Sequence, residues 1–184
     1  MTATTQIMTE ADTCRELVTP KLVEAGWGNA PHVIGEQRTF TNGRIIVTGG
    51  RVRRGKQKRA DYLLYYRRDY PLAVVEAKEL GLPAETGVQQ AKEYAEILGL
   101  KFAYATNGHR IIEIDYTTGT ERQVDRFATP AELWQRLTAA TALPDPATPH
   151  LLEPFNLVSG KVPRYYQQIA INRVIAAILL GQKR

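Results

Sequence analysis

Asp61, Glu76 and Lys78 set the chemical question. They lie in the stretch ADYLLYYRRDYPLAVVEAKELGLPAETGVQQAKEY, from Ala60 to Tyr94. Ala60–Tyr66 and Leu72–Lys78 are rich in Tyr, Leu and Val, which suits two strands. Side chains alternate across a strand, so Leu72, Val74, Glu76 and Lys78 are expected on one face, with Ala73, Val75 and Ala77 on the other. In the first strand Asp61, Leu63 and Tyr65 share a face. A symmetric antiparallel hairpin centred between Arg68 and Asp69 sets Asp61 opposite Glu76. Two adjacent carboxylates repel and desolvate each other, so one stays protonated unless a cation sits between them. A divalent ion removes that conflict, and Lys78 can then touch an attacking water or a phosphate.

This layout suits phosphodiester hydrolysis. Mg²⁺ prefers oxygen ligands, keeps several waters and binds one or two protein carboxylates plus substrate phosphate. It polarises phosphoryl oxygen and lowers the pKa of its water, while Lys offsets the anion growing at phosphorus. Taken alone, Glu-x-Lys is better read as a solvated strand face with an ordinary ion pair, and Asp61 as a strand-start residue. The apolar run Leu72–Val75 leading into the charges favours a site at a sheet end. Gln90 and Tyr94 are one helical turn apart and project together beside an apolar stripe of Val88, Ala91, Ala95 and Leu98. By themselves they read as a solvated amide and a tyrosine at the core margin.

In combination, Asp61, Glu76-Ala77-Lys78 and Gln90/Tyr94 resemble the PD-(D/E)xK nuclease motif with its Q-x-x-x-Y extension, as found in the N-terminal nuclease of type I restriction-modification R (motor) subunits. The likeness is strongest to the EcoEI-type branch. It extends through Gly26-Trp27, TFTNGRIIV at 39–47, KRADYLLYY at 58–66, EAKE at 76–79, QQAKEYAE at 89–96, TNG at 106–108 and PRYYQQIAINR at 163–173. Ala60 stands where the motif's name has Pro. The resemblance implies a restriction-endonuclease-like α/β fold, a mixed central sheet flanked by helices, with a C-terminal linker and helix. It implies Asp61 and Glu76 as metal ligands, Lys78 as catalytic, and Gln90 and Tyr94 as supporting DNA engagement. Related nucleases often carry a further acid near the metal, for which Asp12, Glu16 and Glu36 are candidates. Taken singly, Asp12 and Glu16 read better as a capping residue and a solvated helix face; Glu36, on the next strand, is the third candidate.

The chain has 184 residues and a formal net charge of +5. That length suits one domain with an appendage, and the charge favours a polyanionic partner. Cys14 is the lone cysteine, so no intrachain disulfide can form and a reducing, cytoplasmic setting is expected. Cys and His are too few for a structural zinc site. No apolar run is long enough to span a membrane, and the N-terminus lacks the apolar core of a signal peptide.

Other elements follow from local signals. Residues 1–8 are expected to be loose. Thr9 with Asp12 starts a helix carrying Leu17, Val18, Leu22 and Ala25, kinking or restarting near Pro20 and stopping at Gly26. Residues 32–40 and 43–48 read as strands joined in a tight hairpin at Thr41-Asn42-Gly43. The following GGRVRRGKQKR reads as a basic loop, with Arg53, Arg54, Lys56, Lys58 and Arg59 as phosphate-backbone contacts. Thr86 or Glu85 could cap the helix that carries Gln90. Lys101–Thr106 and Ile111–Tyr116 are strands around Asn107-Gly108, where His109 is more often structural than catalytic. The helix between them and the first hairpin implies a crossover onto a mixed sheet. Thr118-Gly119 is a turn. Thr129-Pro130-Ala131-Glu132 opens a capped helix whose Trp134 and Leu137 pack on the sheet.

Residues 1–142 are thus expected to form the nuclease domain and 143–163, rich in Pro, an extended linker. Residues 164–184 are expected to begin a helicase-like motor domain as an apolar helix. Arg164–Gln167 resembles the adenine-reading Q motif, which makes Gln167 a nucleotide contact only in a full-length protein. No P-loop occurs, and the chain stops about where one would follow, so an N-terminal piece of a longer motor protein is expected. The resemblance then implies a Mg²⁺-dependent endonuclease acting on unmodified double-stranded foreign DNA. It also implies ATP-driven translocation and methyltransferase and specificity subunits as partners. The alternative is a non-catalytic DNA-binding or subunit-docking module that keeps the nuclease fold. A free-standing repair nuclease is a third reading, against which the helicase-like tail argues.

Overall fold

The structure, a computed structural model, describes residues 8–41, 45–48, 51–54, 57–141, 148–153, 155, 160 and 163–182, with the backbone alone described at 45–48, 51–54 and 148. Its centre is a six-stranded sheet of β1 (Val33–Thr41), β4 (Gln57–Arg67), β5 (Tyr70–Ala77), β6 (Phe102–Thr106), β7 (Ile111–Asp115) and β8 (Thr120–Val124), in that spatial order. Every neighbouring pair is antiparallel except β5 and β6. Parallel neighbours cannot be joined by a tight turn; here α3 (Val88–Leu98) makes the crossover. The mixed sheet flanked by helices is the expected fold.

Helices cover both faces. On one face Val18 and Leu22 of the N-terminal helix, Trp27, and Leu133 and Leu137 of α4 (Pro130–Thr141) pack on Leu64, Val75, Phe102, Tyr104 and Ile111. On the other, Val88, Ala91, Ala95 and Leu98 of α3 pack on Leu63, Val74, Ala103, Ala105 and Ile114. Strands β6 and β7 are buried at every position, as strands covered on both faces must be. Large Phe102 and Tyr104 face one layer, while small Ala103 and Ala105 leave room for α3.

The local signals mostly act as expected. Thr9 and Asp12 form a reciprocal cap on α1 (Glu10–Thr13), and Thr129 and Glu132 do the same before α4. Gly108 (φ 87°) and Gly119 (φ 72°) take left-handed conformations at the β6–β7 and β7–β8 turns, which glycine adopts without a Cβ clash. Trp134 stacks on Tyr66 with ring centroids 4.6 Å apart. The N-terminal helix continues through a π-helical turn, Cys14–Val18, into α2 (Thr19–Glu24). The break thus comes one turn before Pro20.

Five expectations are corrected. The strand after Asn42-Gly43 does not pair with β1. Instead β2 (Ile45–Thr48) pairs with β3 (Arg51–Arg54) as a separate two-stranded sheet, and β1 pairs with β4 from Val33↔Tyr65 to Thr41↔Gln57. The proposed turn at Asn42-Gly43 lies outside the described residues. The basic stretch is therefore partly strand, not wholly loop. Leu72 packs with Ala73 and Val75 rather than with Val74, because irregular register at Tyr65–Arg67 opposite Pro71 shifts the alternation. Neither Thr86 nor Glu85 caps α3: a 3₁₀ turn, Ala84–Gly87, precedes it without a side-chain cap. Much of 143–163 lies outside the described residues, but Thr148–Leu151 within it is helical (α5), not extended. The C-terminal helix α6 (Tyr165–Leu179) seats Tyr165 and Ile169 against the second layer and leaves Val174 and Ile178 exposed.

Trp27 joins two parts of the first layer: it is fully buried, and its Nε1–H donates to the Ala128 carbonyl at 2.9 Å. Trp27→Ala should cost about 3–5 kcal/mol through the cavity left behind. Trp27→Phe should cost about 1–3 kcal/mol, mainly from the unpaired carbonyl. Chemical denaturation checks both; wild-type midpoints would contradict this account of the packing.

Candidate active site at the end of strand β5

The β4–β5 register runs Leu64↔Ala73, Leu63↔Val74, Tyr62↔Val75, so the next position sets Asp61 beside Glu76. Both carboxylates are buried, at 6% and 2% exposure. Asp61 Oδ2 accepts the Ala77 backbone N–H at 2.8 Å, and Oδ1 accepts Gln37 Nε2 at 3.0 Å. Glu76 Oε1 accepts Lys78 Nζ at 2.8 Å, whereas Glu76 Oε2 is buried with no hydrogen-bond partner. Burial, then the neighbouring charge of Asp61, pushes the Glu76 carboxyl up to about 7, against the pull of Lys78. The expected conflict between two adjacent acids is therefore present.

Lys78 follows the last residue of β5. Its backbone N–H donates to the Thr106 carbonyl at 2.8 Å, which fixes the loop it enters. Its ammonium also donates to Gln90 Oε1 at 3.0 Å, and Gln90 Nε2 donates to the Tyr94 hydroxyl at 2.7 Å. Burial opposes the charge on Lys78, but the hydrogen bond and charge of Glu76 outweigh it and raise its pKa. Tyr94 is 5% exposed, with its ring edge-on to Phe40, so it steadies Gln90 from the core margin. Gly87, just before α3, lies in contact range of the site: a Cβ there would lie 3.6 Å from Glu76 Cγ and 3.5 Å from Lys78 Cγ, an ordinary van der Waals contact.

The remaining acids are sorted by their partners. Asp12 and Glu16 both pair with Arg15 at the surface. Glu36 lines a cavity of about 420 Å³ with Glu10, Gln37, Arg59, Asp61 and Tyr62. Glu10, which the sequence pattern did not single out, lies 3.9 Å from Lys78 Nζ, and burial, then the charge of Asp61, raises its pKa. Thr13, one turn along the same helix, accepts the Leu80 N–H at 3.1 Å, tying that helix to the loop after Lys78. Of the basic residues, Lys58 pairs with Glu93 at 2.6 Å over the Tyr94 ring, and Arg59 is exposed beside Asp61. The side chains of Arg53 and Arg54, and Lys56 as a whole, lie outside the described residues. Gln167 stands apart at the start of α6, where its Oε1 accepts the Arg164 N–H.

The donor set fits a hard divalent cation. Among the described residues no three His, Cys, Asp or Glu side chains converge closely enough to hold a metal by themselves. Two carboxylate oxygens suffice for Mg²⁺, which completes its shell with water and phosphate. The contrast with Glu113 is instructive. Equally buried, Glu113 is satisfied at both oxygens, by Tyr104 and by Arg122 and Arg136. Of these two buried acids, Glu76 is the one that keeps a bare oxygen.

A carboxyl raised in the folded state stabilises the fold below its unfolded pKa, and that contribution is lost as pH rises through the folded value. For Glu76 the window runs from about 4.5 to about 7, and the loss amounts to about 3 kcal/mol. In chelator, Glu76→Gln should therefore melt higher than wild type at pH 8 and equal to it near pH 4.5. A difference that stays constant with pH would contradict the geometry.

Over residues 35–127 the chain matches the family described as type I restriction enzyme R protein N terminus (HSDR_N). It is 38% identical over 184 residues to the type I restriction enzyme EcoAI endonuclease subunit of Escherichia coli, covering 96% of this chain and 23% of that protein. A solved fragment assigned as an HsdR subunit of a type I restriction enzyme from Vibrio vulnificus YJ016 superposes with a TM-score of 0.86 at 57% identity, over 98% of this chain and 34% of that one. The chain thus spans a minor part of either relative's length. On these matches, and on the sheet and helices they share, it belongs to the N-terminal family of type I restriction enzyme R subunits.

Proposed function

We propose that this region is the Mg²⁺-dependent endonuclease of its R subunit, a PD-(D/E)xK site that hydrolyses phosphodiester bonds of unmodified double-stranded DNA. The observation that carries the reading is the buried pair Asp61 and Glu76, with Glu76 Oε2 unpaired and Lys78 bound to the other oxygen. Asp61 and Glu76 would hold the ion; Glu10 and Glu36 stand near enough to Asp61, around their shared cavity, to receive its waters. When bound, Mg²⁺ supplies Lewis-acid polarisation of the phosphate and a water of lowered pKa. Lys78 places a positive charge where anion develops at phosphorus, and in the low-dielectric site that charge acts more strongly than in water. Gln90 and Tyr94 hold Lys78 at that point. Arg59 offers an exposed cation to the backbone of an approaching duplex.

The domain division follows the same reading. Residues 1–142 form the nuclease, 143–163 the connection, and 164–184 the start of a motor domain, with Gln167 contacting nucleotide there. The exposed apolar residues of α6 support a further packing partner. In the whole protein ATP-driven translocation, with methyltransferase and specificity subunits, would bring DNA to the site, in the cytoplasm. None of the described helices is long and apolar enough to cross a membrane.

In the reconstituted full-length enzyme, Glu76→Ala and Lys78→Ala should each lower DNA cleavage about a hundredfold or more while leaving ATP hydrolysis intact. Gel assays of supercoiled plasmid beside a phosphate-release assay read both. Cleavage retained in either variant would remove the assignment in favour of a DNA-binding or docking module.

A further inference from the structure

The β1–β4 ladder has a gap. Glu36 pairs with Tyr62 and Arg38 with Ala60, but the residues between them, Gln37 and Asp61, are not registered as partners. Gln37 is in the left-handed region, at φ 49°, the only such non-glycine residue among those described. An L residue avoids this conformation because its Cβ crowds the following carbonyl, and glutamine is not among the residues that tolerate it best. Nothing in the local sequence VIGEQRTFT asks for it. What the departure accompanies is one hydrogen bond, Gln37 Nε2 to Asp61 Oδ1, at 3.0 Å.

That bond has a definite consequence. Asp61 Oδ2 is held by the Ala77 N–H and Oδ1 by Gln37, so the two bonds together fix the carboxylate beside Glu76. Gln37 makes the one hydrogen bond that Oδ1 receives among the described residues. A carboxylate oxygen has two lone pairs, so Oδ1 can keep the amide on one and take a cation on the other. Gln37 and Asp61 also line the same cavity of about 420 Å³, so the contact is made beside open space rather than inside packed core.

We propose that Gln37 is a positioning residue for the metal: its amide locks the Asp61 carboxylate in the orientation that aims Oδ1 at the ion, and the left-handed backbone of β1 is retained for that contact. The inference rests on the metal reading above. Hydrogen bonds to the far side of metal ligands typically change affinity by about ten- to a hundredfold when removed.

The test compares Mn²⁺ binding by calorimetry and thermal melting for the 184-residue chain, Gln37→Asn, Gln37→Gly and Asp61→Asn. Asn and Gly both accept the left-handed backbone, but Asn is one methylene too short to reach Asp61 and Gly has no amide. Both should bind Mn²⁺ at least about tenfold more weakly while melting at or above the wild-type temperature. Asp61→Asn should lose binding almost entirely. Wild-type affinity in Gln37→Asn and Gln37→Gly would overturn the role of Gln37 while leaving the site in place. So would an affinity loss matched by a fall in melting temperature in both, which marks a merely structural contact. Unchanged binding in Asp61→Asn, or none in wild type, would overturn the metal site itself and the proposal with it.

Discussion

Two carboxylates held side by side out of water are the constraint on which the rest depends. The β4–β5 register brings Asp61 to Glu76, and burial denies either group the solvation that would make the encounter harmless. Everything near them answers to that pair. The Ala77 amide and Gln37 take the oxygens of Asp61, Lys78 takes one oxygen of Glu76, and the last oxygen is left bare. Elsewhere the protein handles a buried acid differently. Glu113 is surrounded by donors, two of them arginines, and so is a finished structural feature rather than a site.

The flanking elements matter because each fixes one member of this group from a different direction. Helix α3 supplies Gln90 and Tyr94, and small Ala103 and Ala105 beneath it let it lie close. The Thr106 carbonyl holds the Lys78 backbone. The N-terminal helix brings Glu10 near the ammonium and ties itself to the Leu80 amide through Thr13. The wider π-helical turn follows directly, and such turns are common at functional sites. An unpaired buried oxygen on Glu76 and a left-handed Gln37 each lower stability. Their concentration beside Asp61 is the pattern expected where strain is retained for a task.

How much of this was legible in the sequence depends on how local the cause is. Asp61 opposite Glu76 could be read directly because the hairpin joining them is short and symmetric about Arg68 and Asp69. The caps at Thr9 and Thr129 were legible for the same reason. The pairing of β1 was not. Asn42-Gly43 favours a tight turn locally, yet β1 gains far more by pairing along β4, which is distant in sequence. Leu72 was misplaced because alternation assumes an unbroken ladder, and irregular pairing opposite Pro71 breaks it. Glu10 carried no spacing signal relative to Glu76; only packing of the N-terminal helix brings it near. Gln37 was invisible, since its role comes from a backbone conformation that no residue type there announces.

The central claim is that Asp61 Oδ1 and Glu76 Oε2 share one divalent ion. A crystal of this chain soaked in Mn²⁺ and measured at a wavelength where manganese scatters anomalously tests it most directly. The account predicts a single strong anomalous peak within coordination distance, about 2.0–2.4 Å, of both oxygens, with Lys78 still close to Glu76. No peak there at saturating Mn²⁺, or a peak bound elsewhere with the two carboxylates undisturbed, would contradict it.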